Sequence, residues 1–186
     1  MDSPISLSRA IAKMAVTLRL SDVPGPVLTR AKLHILDALG LGIASTVQDY
    51  ARSACDGVAA MGAGGNCSVI GRNERLDMRD AALVNAILVH GLDFDDTHLA
   101  SIIHPTCTSL PAALALGEAL DASGEALLAA FLAGAETSIR IGLAVDGGFH
   151  HVGYHATGVV SHFASAVTAA KLLGLGYPGG PALSRL

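Results

Sequence analysis

The sequence predicts a mainly α protein, a helical bundle with at most a short strand or hairpin near residues 66–72. Two observations favour this class. Alanine and glycine supply 53 of the 186 residues, and such small side chains suit helices that pack closely together. Apolar residues also recur at helical spacing along much of the chain. Hydrophobic residues make up 51% of the chain and charged residues only 15%, which is ample apolar material for a core, so the chain is expected to fold.

The first half of the chain contains two predicted helices and one extended run. Pro26 opens the first helix, since proline suits a first helical position. The apolar face of this helix is predicted to be buried and to carry Leu28, Leu33, Leu36, Leu39 and Ile43. A second helix over residues 50–61 ends at a glycine cluster. An extended piece then begins at Asn66 and leads to a turn at residues 71–73.

The second half contains four predicted helices. Asp77 is the expected N-cap of the first, with Asp80 in the capping-box position and Gly91 as the stop. Pro111 is expected to open the next helix, and Ser123 with Glu125 to open a long helix through Ala144. The last helix is predicted from near Gly158 to Leu175, on an apolar pattern of Val159, Val160, Phe163, Val167 and Ala170. We assign residues 1–175 to one incomplete helical domain and residues 176–186 to an irregular tail.

Composition excludes several classes of function. A net charge of −4 and an aromatic content of 4% argue against nucleic-acid binding, which needs basic surface and stacking rings. The uncharged stretches 97–117 and 147–170 contain histidines that a lipid-facing helix would bury unpaired, so no membrane partner is expected. The three cysteines form no CxxC pair and the N-terminus lacks a signal-peptide pattern. We therefore expect a cytoplasmic protein.

The middle of the chain is acidic and rich in histidine. Residues 80–138 contain eight acids and no lysine or arginine, and seven of the eight histidines lie between residues 90 and 162. The run DFDDTH at residues 93–98 is followed by the pair His104 and Pro105. A solvated acidic loop would be the ordinary interpretation of such a charge run. Acids, a hydroxyl and imidazoles between two apolar segments instead favour a site for general acid–base chemistry.

The histidines and the cysteine of this region also allow other chemical interpretations. A metal site of His150, His151 and His155 is an alternative, but neighbouring glycines interrupt the helix that would align these rings, so no metal is predicted. The glycines would instead bring backbone close to a small ligand, with His155 just before a helix N-terminus that favours a carboxylate. Cys107 is interpreted as a buried apolar residue rather than a nucleophile.

Five segments carry a resemblance to a known family. They are AKLHILDALGLGIAS, RDAALVNAILVHGLDFDDTH, HPTCTSLPAALALGEAL, GAETSIRIGLA and GYHATGVVSHFASAVTAAKLLGL. In this order they resemble the N-terminal half of the MmgE/PrpD family, which includes 2-methylcitrate dehydratases, cis-aconitate decarboxylases and iminodisuccinate epimerases. The resemblance covers roughly residues 10 to 175. It implies an α-helical domain that carries most of an active site, a smaller α+β domain that covers it, and no metal or other cofactor.

The resemblance also implies roles for individual residues. His104 and His155 match the two histidines associated with proton transfer, without indicating which is the base. Asp93 and Thr97 match positions that help to hold the substrate. The implied reaction is proton abstraction next to a carboxylate of a small di- or tricarboxylate, with a 2-methylcitrate dehydratase-like activity as the first expectation. The family's cationic substrate-binding residues lie further along its chain, so we expect little activity from these 186 residues alone.

Two further expectations concern partners. Family members are commonly homodimers, so a homodimer is expected here. A non-catalytic helical fragment that associates with itself or with a full-length relative is the alternative, because an uncovered apolar face favours association.

Overall fold

A computed structural model describes residues 6–176 as a helical bundle with one small hairpin, which confirms the predicted fold class. The helices are α1 (Leu7–Thr17), α2 (Gly25–Ser45), α3 (Asp49–Met61), α4 (Met78–His90), α5 (Pro105–Ala119), α6 (Gly124–Ala144), α7 (Gly148–His151) and α8 (Ala156–Leu172), with a 3₁₀ turn at Leu20–Asp22. The predicted tail, residues 176–186, lies outside the described residues except for its first position.

Capping side chains explain where several helices begin. Ser6, Asp77 and Ser123 precede α1, α4 and α6, and each side chain accepts a hydrogen bond from a backbone N–H in the first turn. Such a bond satisfies one of the four donors that a helix leaves unpaired at its start. The predicted starts of α4 at Asp77 and of α6 at Ser123 are thus confirmed.

The predicted start of α5 is wrong. The helix begins at Pro105, six residues before Pro111, and Pro111 lies inside it. Both prolines are buried, and the hydroxyl of Thr108 donates to the carbonyl of Pro105 over 2.6 Å. Proline lacks the N–H that would continue the backbone ladder, but helix interiors can tolerate it when packing on all sides compensates. Because α5 is buried almost all round, tertiary packing overrides the local signal at Pro111.

Two predicted buried faces also need correction. Leu33, Leu36 and Ile43 of α2 are exposed, and the side of α2 that faces the protein carries Ala31, Ala38, Gly42 and Ser45 instead. In α8, Phe163 is exposed, whereas Ala156, Val160 and Ala164 are buried. Helices α2 and α8 bury mostly small residues, which allow close approach between backbones, and several of their large apolar residues face outwards.

Helices α4, α5, α6 and α8 form the centre of the bundle. Helix α5 packs against the other three, and α6 packs against α8 along most of its length. A Cβ atom at Gly134 of α6 would clash with the hydroxyl of Thr168 and lie 2.7 Å from the Cβ of Ser109 and 2.9 Å from the carbonyl of Ala164. The three helices therefore meet at a point that only glycine fits.

The predicted extended piece is one strand of a two-stranded hairpin. Strand β1 (Cys67–Ser68) pairs antiparallel with β2 (Arg75–Leu76), slightly beyond the predicted range. Glu118 at the end of α5 fastens the hairpin: it accepts from the backbone N–H of Ser68 over 2.6 Å and from Arg75 over 2.7 Å. The hairpin thus covers one end of the core without extending into a sheet.

Helix α6 is long and apolar enough to cross a membrane by length and composition. More than half of its most apolar segment is buried inside the bundle, including Phe131 and Ala133. A helix in the core of a folded domain meets the same criteria, and its packing between α5 and α8 is that of a core helix.

The first and last described helices are joined by one side chain. The ammonium group of Lys171 in α8 donates to the carbonyl of Ala15 over 2.7 Å and to that of Leu18 over 2.9 Å. These carbonyls belong to the C-terminal turn of α1, where backbone acceptors lack helical partners. Lys171 therefore caps α1 from the opposite end of the described chain.

Candidate active site

The candidate site forms where two helices start. His104 is the N-cap of α5 and His155 is the N-cap of α8, and neither side chain caps its own helix. The backbone N–H of His104 donates to the hydroxyl of Thr157, in the first turn of α8, over 3.1 Å. This bond holds the two helix starts together, so two histidines 51 positions apart in the sequence meet at one place.

Asp95 lies at the centre of the site. Its side chain is almost fully buried, with 1% of its surface exposed. The Nδ1 atoms of His90 and His104 lie 3.0 Å and 3.1 Å from the same oxygen, Oδ1 of Asp95. Nδ1 of His104 is also 3.2 Å from the backbone carbonyl of Asp95. Since all of these oxygens are acceptors, both Nδ1 atoms carry protons: His90 donates to the carboxylate of Asp95, and His104 donates to its backbone carbonyl.

His90 connects this carboxylate to His155. The Nε2 atoms of His90 and His155 are 3.2 Å apart, and the two rings stack with centroids 5.4 Å apart. The ring of His90 also lies 4.8 Å from that of His104. The structure therefore assembles a continuous hydrogen-bonded chain of His104, Asp95, His90 and His155, which we call the histidine cluster.

Sequence reasoning did not select His90 or Asp95 as site residues. The available signal was positional: His90 is the last residue of α4, and Asp95 follows it by five residues. The loop over residues 91–104 joins α4 to α5 and folds Asp95 back against the end of α4, where its carboxylate meets His90. The burial of Asp95 among charged neighbours could not be inferred from the DFDD pattern.

The three acids of this loop have different environments. Asp93 is exposed and has a left-handed backbone with φ of 56°, and its Oδ1 lies 3.4 Å from Nε2 of His104. Asp96 accepts from the backbone N–H of Thr106, in the first turn of α5, and lies 3.7 Å from Nδ1 of His34. Asp93 thus faces the open side of His104, Asp95 holds the rings, and Asp96 caps α5.

Thr97 lies next to the histidine cluster rather than within it. Its hydroxyl donates to the backbone carbonyl of Asp95 over 3.4 Å, and it lines a cavity of about 240 Å³ together with His34, Asp96 and Thr106. Of the four residues predicted for the site, the structure brings Asp93, His104 and His155 around one cluster and puts Thr97 at its border. Their roles in binding and catalysis stay predictions.

The charges of the cluster shift its pKa values in opposite directions. The hydrogen bond to Asp95 raises the pKa of His90 above its usual value. Burial opposes ionisation of Asp95, but the hydrogen bond and charge of His90 outweigh it and lower the pKa of Asp95. Partial desolvation of its ring, followed by the charges of His90 and His104, lowers the pKa of His155. The surroundings therefore favour an ionised Asp95 beside a protonated His90, and they favour the neutral form of His155.

Cys107 is not placed as a nucleophile. Its thiol is buried and donates to the carbonyl of His104 over 3.2 Å, and burial strongly raises its pKa. Because the thiolate is the reactive form, a raised pKa keeps this group inert. The interpretation of Cys107 as a buried residue is confirmed.

Donor atoms of His90, Asp93, Asp95 and His104 all lie within 4.8 Å of one another, a spacing that a metal ion could also use. The hydrogen bonds already use both Nδ1 atoms and the carboxylate of Asp95, so an ion would have to replace them. The alternative set of His150, His151 and His155 does not share a helical face, because α7 ends at His151 and His155 precedes α8.

Two helix N-termini lie at the histidine cluster. The N-termini of α5 and α8 both point their partial positive charge towards it. Within residues 6–176, the ion pairs of His90, Asp93 and His104 are formed only among these residues and with Asp95. Phe94 and Leu99, on the same loop, are 81% and 83% exposed.

Comparison with known proteins decides the family. A family model described as the MmgE/PrpD N-terminal domain matches residues 9–177. The chain belongs to the MmgE/PrpD family. This confirms the resemblance drawn from the five sequence segments, and it identifies the helical bundle as the N-terminal domain of that family.

Relatives of the MmgE/PrpD chain include three cis-aconitate decarboxylase proteins. It is 31% identical over 178 residues to the cis-aconitate decarboxylase-like protein oryM of Aspergillus oryzae, covering 91% of this chain and 37% of that protein. It is 30% identical over 171 residues to the cis-aconitate decarboxylase of Aspergillus terreus, covering 89% and 35% respectively. It is 33% identical over 177 residues to the human cis-aconitate decarboxylase, covering 91% and 36%. The chain thus spans little more than a third of these relatives.

Proposed function

We propose that this MmgE/PrpD chain contributes the proton-transfer part of a lyase that acts on a small tricarboxylate without a cofactor. The observation that carries the proposal is the meeting of His104 and His155 in one hydrogen-bonded cluster at two helix N-termini. Paired imidazoles can give and take a proton near neutral pH. The helix N-termini favour the carboxylates of such a substrate.

Cis-aconitate is the first substrate to test, ahead of 2-methylcitrate. The similarity to three proteins named for cis-aconitate decarboxylation supports this order. Loss of carbon dioxide leaves an electron pair on the substrate, and a carbon atom must then take up a proton. The imidazoles of His104 and His155 are the groups proposed to donate that proton. The geometry supplies no lysine or arginine in the histidine cluster among residues 6–176, so we propose that other parts of a complete enzyme hold the substrate carboxylates.

Turnover tests this proposal directly. We expect the chain to convert cis-aconitate slowly, and His104→Gln and His155→Gln each to lower the rate by about 10²-fold or more, because each removes a positioned acid–base group. Proton NMR would follow cis-aconitate, 2-methylcitrate, citrate and iminodisuccinate in parallel. His162→Gln is the matched control, since His162 is exposed on α8 and its ring hydrogen-bonds the backbone carbonyl of Val159.

A binding measurement complements turnover. Cis-aconitate should shift the side-chain NMR signals of His104 and His155 but not that of His162. Unchanged signals at millimolar cis-aconitate, or a rate that is the same in His104→Gln and in the unmodified chain, would contradict the proposal.

Self-association is the second candidate, and the exposed face of α2 favours it. Leu33, Leu36 and Ile43 lie on one outer face of this helix and are each about half exposed or more. Apolar patches of this kind usually mark an interface. We propose that a second copy of the chain covers them.

Light scattering would test self-association. We expect Leu36→Lys to lower the measured mass towards that of a monomer, because a charge in the patch would have to be buried. Ala59→Lys, on the exposed side of α3, is the control and should leave the mass unchanged. A monodisperse monomer for the unmodified chain would contradict this candidate.

A further inference from the structure

We infer that His90 is a positioning residue that relays a proton to His155 through the bond between their Nε2 atoms. The observation is the unbroken series from Asp95 to His90 over 3.0 Å and from His90 to His155 over 3.2 Å. Nothing in the resemblance assigns a role to His90. The inference rests on the proposed proton transfer at His155.

The hydrogen-bond partners of His90 and His155 determine which ring nitrogens carry protons. Asp95 is an acceptor, so Nδ1 of His90 must donate to it. A bond between two Nε2 atoms contains one proton, which leaves one ring as donor and the other as acceptor. His90 is the better donor because the adjacent carboxylate stabilises its doubly protonated form. His155 then accepts at Nε2, so its own proton must be on Nδ1.

The surroundings of His90 and His155 support this polarity. The charged or titratable groups that face the two rings are Asp93 and Asp95 from the loop, His104 from the start of α5, and His150 from α7. The two acids favour a proton on His90, and among these groups Asp95 makes the direct bond. Burial and the positive charges of neighbouring rings lower the pKa of His155, which suits an acceptor.

The relay balances without any further reagent. The electron pair released on a substrate carbon takes the proton from Nδ1 of His155. At the same time, the proton on Nε2 of His90 moves to Nε2 of His155. Both rings end neutral: His90 keeps its Nδ1 proton on Asp95, and His155 now has its proton on Nε2. In the described part of the chain Nδ1 of His155 has no hydrogen-bond partner, and the residue is exposed, so this atom is open to a substrate.

Nitrogen NMR of the histidine-labelled chain tests the relay. At neutral pH we expect His155 to show the Nδ1-protonated tautomer, His90 to show both nitrogens protonated, and a coupling across the hydrogen bond between the two Nε2 atoms. His90→Gln should raise the pKa of His155, because a neighbouring positive charge is removed while glutamine can still donate to Asp95. The control His162→Gln should leave the titration of both rings unchanged.

His90 is half-buried, so a second variant keeps the test decisive if His90→Gln does not fold. His155→Gln alters an exposed position and should remove the coupling and change the Nε2 signal of His90. The relay is overturned if His155 is the Nε2-protonated tautomer, or if its pKa is the same with and without His90. These signals do not depend on turnover, so they decide the relay even if no carboxylate is converted, whereas failure of the proposed function would appear in the turnover and binding experiments.

Discussion

Replacing Asp95 with asparagine should lower the free energy of unfolding by about 1.5–3 kcal/mol at mildly acidic pH, the range for hydrogen bonds to charged groups. The buried carboxylate of Asp95 accepts from His90 and lies 3.1 Å from Nδ1 of His104, and asparagine keeps the shape but loses the charge. The other two acids of the loop cannot replace this carboxylate. Asp93 lies on the exposed side of His104, and Asp96 accepts from the first turn of α5.

The effect of Asp95→Asn should depend on pH in a defined direction. His90 has a raised pKa in the folded state, so its contribution is complete below its unfolded value of about 6.5 and is lost as pH rises through the folded value. Asp95 has a lowered pKa, so its contribution is present above about 3.9 and is lost as pH falls through the folded value. The pair therefore stabilises most between about pH 4 and pH 6.5.

Urea unfolding of the unmodified chain and of Asp95→Asn, at several pH values in and above this window, would measure the difference. Asp146→Asn is the control, because Asp146 is exposed and its left-handed backbone suits asparagine as well. A difference that is independent of pH would show that the charge of the pair does not contribute.

The second large effect is expected at Gly134. Gly134→Ala should destabilise the chain by about 1–3 kcal/mol, since a methyl group there forces α6 away from α5 and α8. The neighbours cannot yield easily: the carbonyl of Ala164 is backbone, and the hydroxyl of Thr168 is buried and donates to that carbonyl over 2.9 Å. Thermal unfolding followed by circular dichroism would measure the loss.

Gly57→Ala provides the opposite control. Gly57 lies on the exposed side of α3, and a Cβ there meets nothing within 4 Å. The same substitution should therefore stabilise the chain by about 0.4–1 kcal/mol, because alanine loses less backbone entropy on folding. If Gly134→Ala were as stable as Gly57→Ala, the close crossing of the three helices would be refuted.

Helix positions were largely predictable from sequence, whereas helix orientation was not. Capping signals at Asp77 and Ser123 act locally, so the starts of α4 and α6 could be inferred. Burial of a face depends on the neighbouring helix. Leu33 and Leu36 have the helical spacing of a buried face, but the partners of α2 approach its alanines and Gly42. Pro111 likewise shows that a strong local signal yields to packing on all sides.

The candidate site was predictable in part for a similar reason. His104 and His155 could be selected because they match a family pattern in order along the chain. His90 and Asp95 act through contacts made by the return of one loop and by the approach of α8, 65 positions later. No spacing rule relates residues at that separation. The different roles of the three acids in the loop can therefore be assigned only from their burial and their hydrogen-bond partners in the structure.

The bond from Lys171 to the end of α1 has a consequence for synthesis of the protein. It joins residues 153 and 156 positions apart, and α1 otherwise packs against α6 and α8. Helix α1 leaves the ribosome before α6 and α8, the helices that it packs against most. Its docking can therefore be completed only after Lys171 has left the exit tunnel.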